Sequence, residues 1–144
     1  MAQMRRVAFV AYRYLLLVYV AGVVVAFFLA GAGVFRAKPK AEEHLFESAT
    51  FDAHRGLGWI LLLGSLVLLL LALLAWPGRR RLVGSAVLFV LLIVQSVLGG
   101  LGEDAPWVAA LHPVNGLLIL GLASFLAHDA WRSARAARSG LRKP

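Results

Sequence analysis

Four runs of roughly 20 residues contain no Asp, Glu, Lys or Arg: 14–35, 56–78, 82–102 and 105–128. At ~1.5 Å rise per residue each is long enough to cross the ~30 Å hydrocarbon layer of a bilayer. Helix is the required form, because lipid offers no hydrogen-bond partner to an open sheet edge. With 61% of its 144 residues hydrophobic and 15% charged, a soluble domain of this size could not hide its apolar surface. The expectation is an all-α polytopic membrane protein. It is a single four-helix transmembrane domain over 1–144, with helices at about 8–35, 51–76, 82–101 and 106–132.

Short connections favour antiparallel neighbours and an up-down-up-down bundle. Pro77-Gly78-Arg79 predicts a tight turn, as does the stretch from Gly99 to Asp104, and Pro106 suits the first turn of the last helix. Residues 36–50 form a longer connection, in which Leu45 and Phe46, with Phe51 just beyond, predict a short interfacial helix. Arg5, Arg6 and the Ala30-Gly31-Ala32 triplet imitate a signal peptide. The first apolar run exceeds the ~7–15 residues of a signal core, so an uncleaved helix is expected.

The basic residues orient the bundle. Arg5, Arg6 and Arg13 at the N-terminus, Arg79, Arg80 and Arg81 in the second connection, and Arg132, Arg135, Arg138, Arg142 and Lys143 in the tail all fall on one side. The positive-inside rule makes that side cytoplasmic, with both termini inside. Six of the seven acidic residues then lie outside. The net charge of +8 reads as a topology signal with some contact to anionic lipid, and the expected environment is the lipid bilayer, not nucleic acid.

Two histidines open apolar helices, and each has a glycine four residues later: His54-Arg55-Gly56-Leu57-Gly58 and His112-Pro113-Val114-Asn115-Gly116. Ionisable residues in membrane segments are costly and mark functional sites. Positions i and i+4 share a helix face, so each glycine is expected to clear space beside its imidazole. A loose internal repeat supports the pairing: Ala26 to Gly31 precedes His54, and Gln95 to Gly100 precedes His112. Two such hairpins related by a pseudo-two-fold axis would set the histidines at equal depth on opposite sides of the bundle.

The ligand that fits is haem b, held by His54 and His112 near the outer face. Arg55 is placed to pair with a propionate, and Gln95 and Asn115 to orient an imidazole or bind water. Having no cysteine, the chain cannot attach haem covalently or hold an iron–sulfur cluster. His128 lies ~24 Å beyond His112 and reads as an inner-end cap beside Asp129. That leaves no second histidine pair for a two-haem conductor. His44 reads as a solvated loop residue, Glu103 and Asp104 as a water-boundary turn, and Trp59, Trp76, Trp107 and Trp131 as interfacial anchors.

The stretch 88–120, with Gln95-Ser96-Val97-Leu98-Gly99 followed by Leu111-His112, resembles the third and fourth helices of one half of haem A synthase. His54-Arg55 resembles the pair that opens that half's second helix. The resemblance implies a four-helix unit with His54 and His112 as axial ligands. It also implies a catalytic glutamate three residues before the first histidine, where this chain has Phe51. The Phe-Leu-Ala-Gly and His-Pro-Val-Asn-Gly strings also resemble a family of small four-helix bacterial membrane proteins of no assigned activity.

The expected function is electron transfer, haem holding or sensing, with an outer-side redox protein, a quinol or a second copy as partner. Two alternatives stand beside it. One is a divalent-metal site formed by His44, His54 and His112 with Glu47 or Asp52; the other is a cofactor-free assembly subunit whose histidines only pack.

Overall fold

The structure is a computed structural model that describes residues 1–36, 49–101 and 105–140. It is all-helical there: α1 Ala2–Arg36, α2 Ala49–Ala75, α3 Arg79–Gly100, the single turn α4 Pro106–Ala109 and α5 Leu111–Gly140. Four spans are long and apolar enough to cross a membrane, α4 and α5 together supplying the last. The expected interfacial helix falls largely outside the described residues, as do His44, Glu47, Glu103 and Asp104.

The helices pack in a ring, α1 on α2, α2 on α3, α3 on α5 and α5 back on α1. α2 and α5 therefore face each other across a diagonal. Each helix turns one heptad-like stripe inward. On α2 it runs Phe51, His54, Gly58, Leu61, Ser65, Leu68, Ala72 and Ala75, in steps of three and four, with the last five buried. Tyr12, Leu16, Tyr19 and Val23 continue the pattern on α1, Ser85, Leu88 and Leu92 on α3, and Ile119, Ala123, Leu126 and Ala130 on α5. A 3.5-residue repeat keeps one seam facing its neighbours in a left-handed bundle.

Lipid tails are as apolar as leucine, so the bundle is held by close packing and interhelical hydrogen bonds more than by solvent exclusion. A Cβ at Gly84 would lie 2.7 Å from Leu126 Cδ2, and one at Gly22 would lie 3.1 Å from Leu61 Cδ2. Tyr12 and Ser85 share a buried hydroxyl–hydroxyl bond of 2.9 Å between α1 and α3.

The turn between α2 and α3 is built as its residues dictate. Trp76 takes a left-handed φ of 48°, Pro77 blocks further helix, and Gly78 adopts φ 99°. Arg81 on α3 then locks this end: its Nε donates to Asp129 Oδ2 at 2.7 Å, Nη1 to the Pro77 carbonyl at 3.0 Å, and Nη2 to Ser133 Oγ. Asp129 thus serves α3. His128, expected beside it as a cap, is exposed on the α1 side with Trp131 and Arg135.

Trp59 on α2 and Trp76 just past its end stand 17 residues apart, about 26 Å along the axis, close to the thickness of a hydrocarbon core. At about 52 Å, α1 is longer than the layer, so its arginine-bearing N-terminal turns project beyond it. The two ends are chemically distinct, an arginine end and a histidine end.

Candidate functional site

His54 sits in the second turn of α2, and His112 is the second residue of α5. Pro113 follows in the first turn of α5, where a missing N–H costs nothing. The interior stripe aims both imidazoles at the bundle axis. Their ring centres are 6.1 Å apart, with planes inclined at 60°.

Each imidazole is anchored in the same way. His54 Nδ1 is 2.9 Å from the Ala26 carbonyl oxygen on α1, and His112 Nδ1 is 3.2 Å from the Gln95 carbonyl oxygen on α3. A carbonyl only accepts, so Nδ1 carries the proton in each ring. The neutral imidazole then keeps its lone pair on Nε2. Ala26 and Gln95 are the first residues of the two repeated strings, so the loose repeat corresponds to a real pseudo-symmetry of the histidine supports.

The remaining expected residues surround this pair unequally. Asn115 is buried and donates to the Leu91 carbonyl at 2.9 Å and to Gln95 Oε1 at 2.7 Å. Gln95 therefore holds His112 with its backbone and Asn115 with its side chain. Arg55 points outward and pairs with Asp52, both side chains more than half exposed. An exposed pair of this kind contributes little to stability.

The glycines divide. Gly58 is half-buried on the interior stripe one turn below His54, and a Cβ there would meet nothing within 4 Å. Gly116 clears no such space. A Cβ there would lie 3.0 Å from Phe27 Cζ and 3.5 Å from Gln95 Nε2, because the Phe27 ring crosses from α1 to fill the position. The glycine that accommodates His112 is Gly99, whose Cβ would fall 3.2 Å from the imidazole Cε1 and 3.3 Å from Nδ1. The sequence signal for Gly99 was its place four residues after Gln95, one turn along the same face of α3. Phe51 packs its ring on Gly33, where a Cβ would lie 2.8 Å from Phe51 Cε2.

Two fixed imidazoles with free Nε2 atoms are suited to one metal ion. A first-row metal–imidazole bond of about 2.0–2.1 Å, plus about 1.1 Å from nitrogen to ring centre, puts ring centres about 6.3 Å apart for ligands in line and about 5 Å for a tetrahedral pair. The observed 6.1 Å lies near the in-line value. Among the described residues no group of three or more His, Cys, Asp or Glu comes together, and Asp52 is engaged by Arg55.

Residues 26–101, just over half of the chain, match the model of a family of unknown function, DUF6220. The chain belongs to that family. The DUF6220 match begins at Ala26 and takes in His54, Gln95 and Gly99, while His112 and Asn115 follow it. No curated protein and no solved structure matches the chain.

Proposed function

We propose that this DUF6220 protein holds one haem b between His54 and His112. The observation that carries the reading is the facing pair of imidazoles, 6.1 Å apart at their centres, each with Nδ1 tied to a main-chain carbonyl. Donating Nδ1–H to a carbonyl fixes the tautomer and ring orientation and raises the basicity of Nε2, as expected of an axial ligand. The residues present fit the group. The ring-centre spacing is near the in-line value, a Cβ at Gly58 would meet nothing within 4 Å, and the exposed Arg55, next to His54, is the cation for a propionate.

When bound, haem supplies one-electron redox chemistry with both axial positions taken by protein. The chain's own residues hold, orient and insulate it. Gln95 and Asn115 tie α3 to α5 beneath His112, and the Phe27 ring closes the α1–α5 side. Electron transfer, haem holding or sensing suits such a site better than hydroxylation. Where the likeness to haem A synthase calls for a glutamate, the ring of Phe51 lies against Gly33. By the positive-inside rule the histidine end is the outer face of a bacterial plasma membrane and both termini are cytoplasmic. The partner is an outer-side redox protein, a quinol or a second copy of this chain.

The test is the absorption spectrum of the detergent-solubilised protein, oxidised and reduced, after expression with haem supplementation. A Soret band at about one haem per chain, lost in both His54→Ala and His112→Ala, is expected. A colourless protein that binds copper or zinc through the same two histidines would replace haem with a bare metal ion. A colourless protein that tolerates both substitutions and co-purifies with a larger complex would make this an assembly subunit.

A further inference from the structure

At the arginine end, α1 and α5 part on their lipid-facing side and leave an open crevice of about 490 Å³. Its α5 wall is a single stripe: Ser124, His128, Trp131 and Arg135 recur at intervals of four, three and four residues, one face of a helix. The α1 wall is Leu17 and Val20. The crevice is polar and basic toward the membrane surface and apolar toward the bilayer centre.

The polar end lacks an anion. Arg13 of α1 does not line the crevice but stacks on Trp131, which does; it is only 7% exposed, and its Nε has no hydrogen-bond partner. Rings hold its guanidinium, whose carbon lies 4.8 Å from the centre of Trp131 and 5.1 Å from that of Tyr14. Trp131 is itself pinned, with its indole N–H donating to the Arg13 carbonyl at 3.3 Å and Tyr14 meeting it edge-on. Among the described residues no carboxylate pairs with Arg13 or Arg135, and Asp129, the acid of this part of α5, is committed to Arg81. A buried charge without a counter-charge is costly, so the arrangement calls for an external anion. Ser124, about 16 Å deeper than Arg135 on the same stripe, is a polar group without a partner. Among the described serines it alone has no hydrogen bond; the others bond a carbonyl of their own helix or, for Ser85, the Tyr12 hydroxyl.

We infer that this crevice holds one anionic phospholipid. Its phosphate is drawn to Arg13 and Arg135, the headgroup lies at the level of Trp131 and Tyr14, and an acyl chain runs along Leu17 and Val20. Guanidinium groups match phosphate oxygens in geometry as well as charge, and tryptophan and tyrosine mark headgroup depth. The crevice is open to lipid from the side, so the ligand enters from the bilayer without any helix moving.

The test adds phosphatidylglycerol, phosphatidylcholine or inorganic phosphate to the full chain in mild detergent. Lipid retained per chain is read by native mass spectrometry, and the melting midpoint is followed in parallel. One phosphatidylglycerol is retained in preference to phosphatidylcholine, and inorganic phosphate leaves the midpoint unmoved. Arg135→Gln weakens retention about fivefold, the effect of one basic residue at a membrane surface, and Arg13→Gln weakens it at least as much. The double variant Arg79→Gln/Arg80→Gln, which removes two exposed charges from the start of α3, leaves retention unchanged. Should Arg13→Gln fail to fold, Arg135→Gln with His128→Gln carries the same expectation. Equal retention of the two lipids overturns the proposal, as does an equal loss from the Arg79/Arg80 variant. A midpoint raised as much by inorganic phosphate as by phosphatidylglycerol makes it a phosphate site and overturns the lipid.

Discussion

Gln95 bonds two residues of α5 at once: its carbonyl oxygen accepts from His112 Nδ1 at 3.2 Å, and its Oε1 accepts from Asn115 at 2.7 Å. The first contact uses the backbone and survives substitution of the side chain. The second does not, and its loss leaves a buried amide partly unpaired. The two roles separate by mutation. With haem bound as proposed, Gln95→Leu is expected to keep His112 ligation and the Soret band while lowering the unfolding free energy by about 1–2 kcal/mol, the cost of orphaning a buried polar group. Loss of haem with unchanged stability would contradict it.

A Cβ added at Gly99 would fall 3.2 Å from the His112 ring, so the smallest enlargement should register at the proposed haem. Gly99→Ala pushes a methyl to 3.2 Å from the imidazole, and Gly99→Val allows no such fit. Gly99 is otherwise exposed, so stability should stay nearly level while haem occupancy falls, modestly for Ala and severely for Val. Paramagnetic resonance of the oxidised protein reads the tilt of the ring directly. Identical spectra for wild type and Gly99→Val would remove this contact from the account.

Gly58 and Gly116, alike in sequence, should respond in opposite ways. Leu at Gly58 fills open interior space, so the apo-protein melts at or above the wild-type midpoint but excludes haem. Ala at Gly116 collides with Phe27 and costs about 1–3 kcal/mol, the usual range for overpacking. Phe27→Leu in the same chain is expected to recover most of that loss. Additive costs in the double variant would show that the two residues do not share the space.

Arg81 and Asp129 hold the opposite end, with side chains 14% and 27% exposed. Removing either partner alone is expected to destabilise by about 2–3 kcal/mol, below the range of a fully buried pair because both remain partly solvated. Replacing both with apolar residues, Arg81→Met with Asp129→Leu, should cost less than either single change. Reversible unfolding in mixed micelles measures the difference, and a double variant worse than both singles refutes the ion-pair explanation.

Tyr12 and Ser85 test how much a buried interhelical hydrogen bond contributes in this setting. Tyr12→Phe and Ser85→Ala are expected to couple by about 0.6 kcal/mol, because Ser85 freed of Tyr12 bonds a carbonyl of its own helix. A coupling above about 2 kcal/mol would mean that the freed hydroxyl finds no such partner.

Much of this molecule could be read before any coordinates. The charge-free runs predicted the four spans, since only helix can cross lipid, and the glycine four residues after each histidine predicted cleared space, found at Gly58 but not at Gly116. The repeat of Ala26 to Gly31 and Gln95 to Gly100 was a weak signal that turned out to mark the two carbonyls under the histidines. The α1 start at Ala2 and the run of α5 to Gly140 were missed, because arginine-rich ends are legible as charge but not as helix once they leave the hydrocarbon. Arg81 was legible only as a topology charge; its bond to Asp129, 48 residues away, depends on how α3 and α5 pack.

The amino-acid sequence by itself determined the class, the number of spans and the identity of the inward histidines. These follow from period and hydropathy, properties local to each helix. Only the tertiary structure decided that the two imidazoles stop 6.1 Å apart, that Phe27 takes the space beside Gly116, and that Gly99 is the glycine His112 needs. Those outcomes depend on the rotation and depth of one helix against another. Residues from four helices set them together, and no single stretch of sequence contains them.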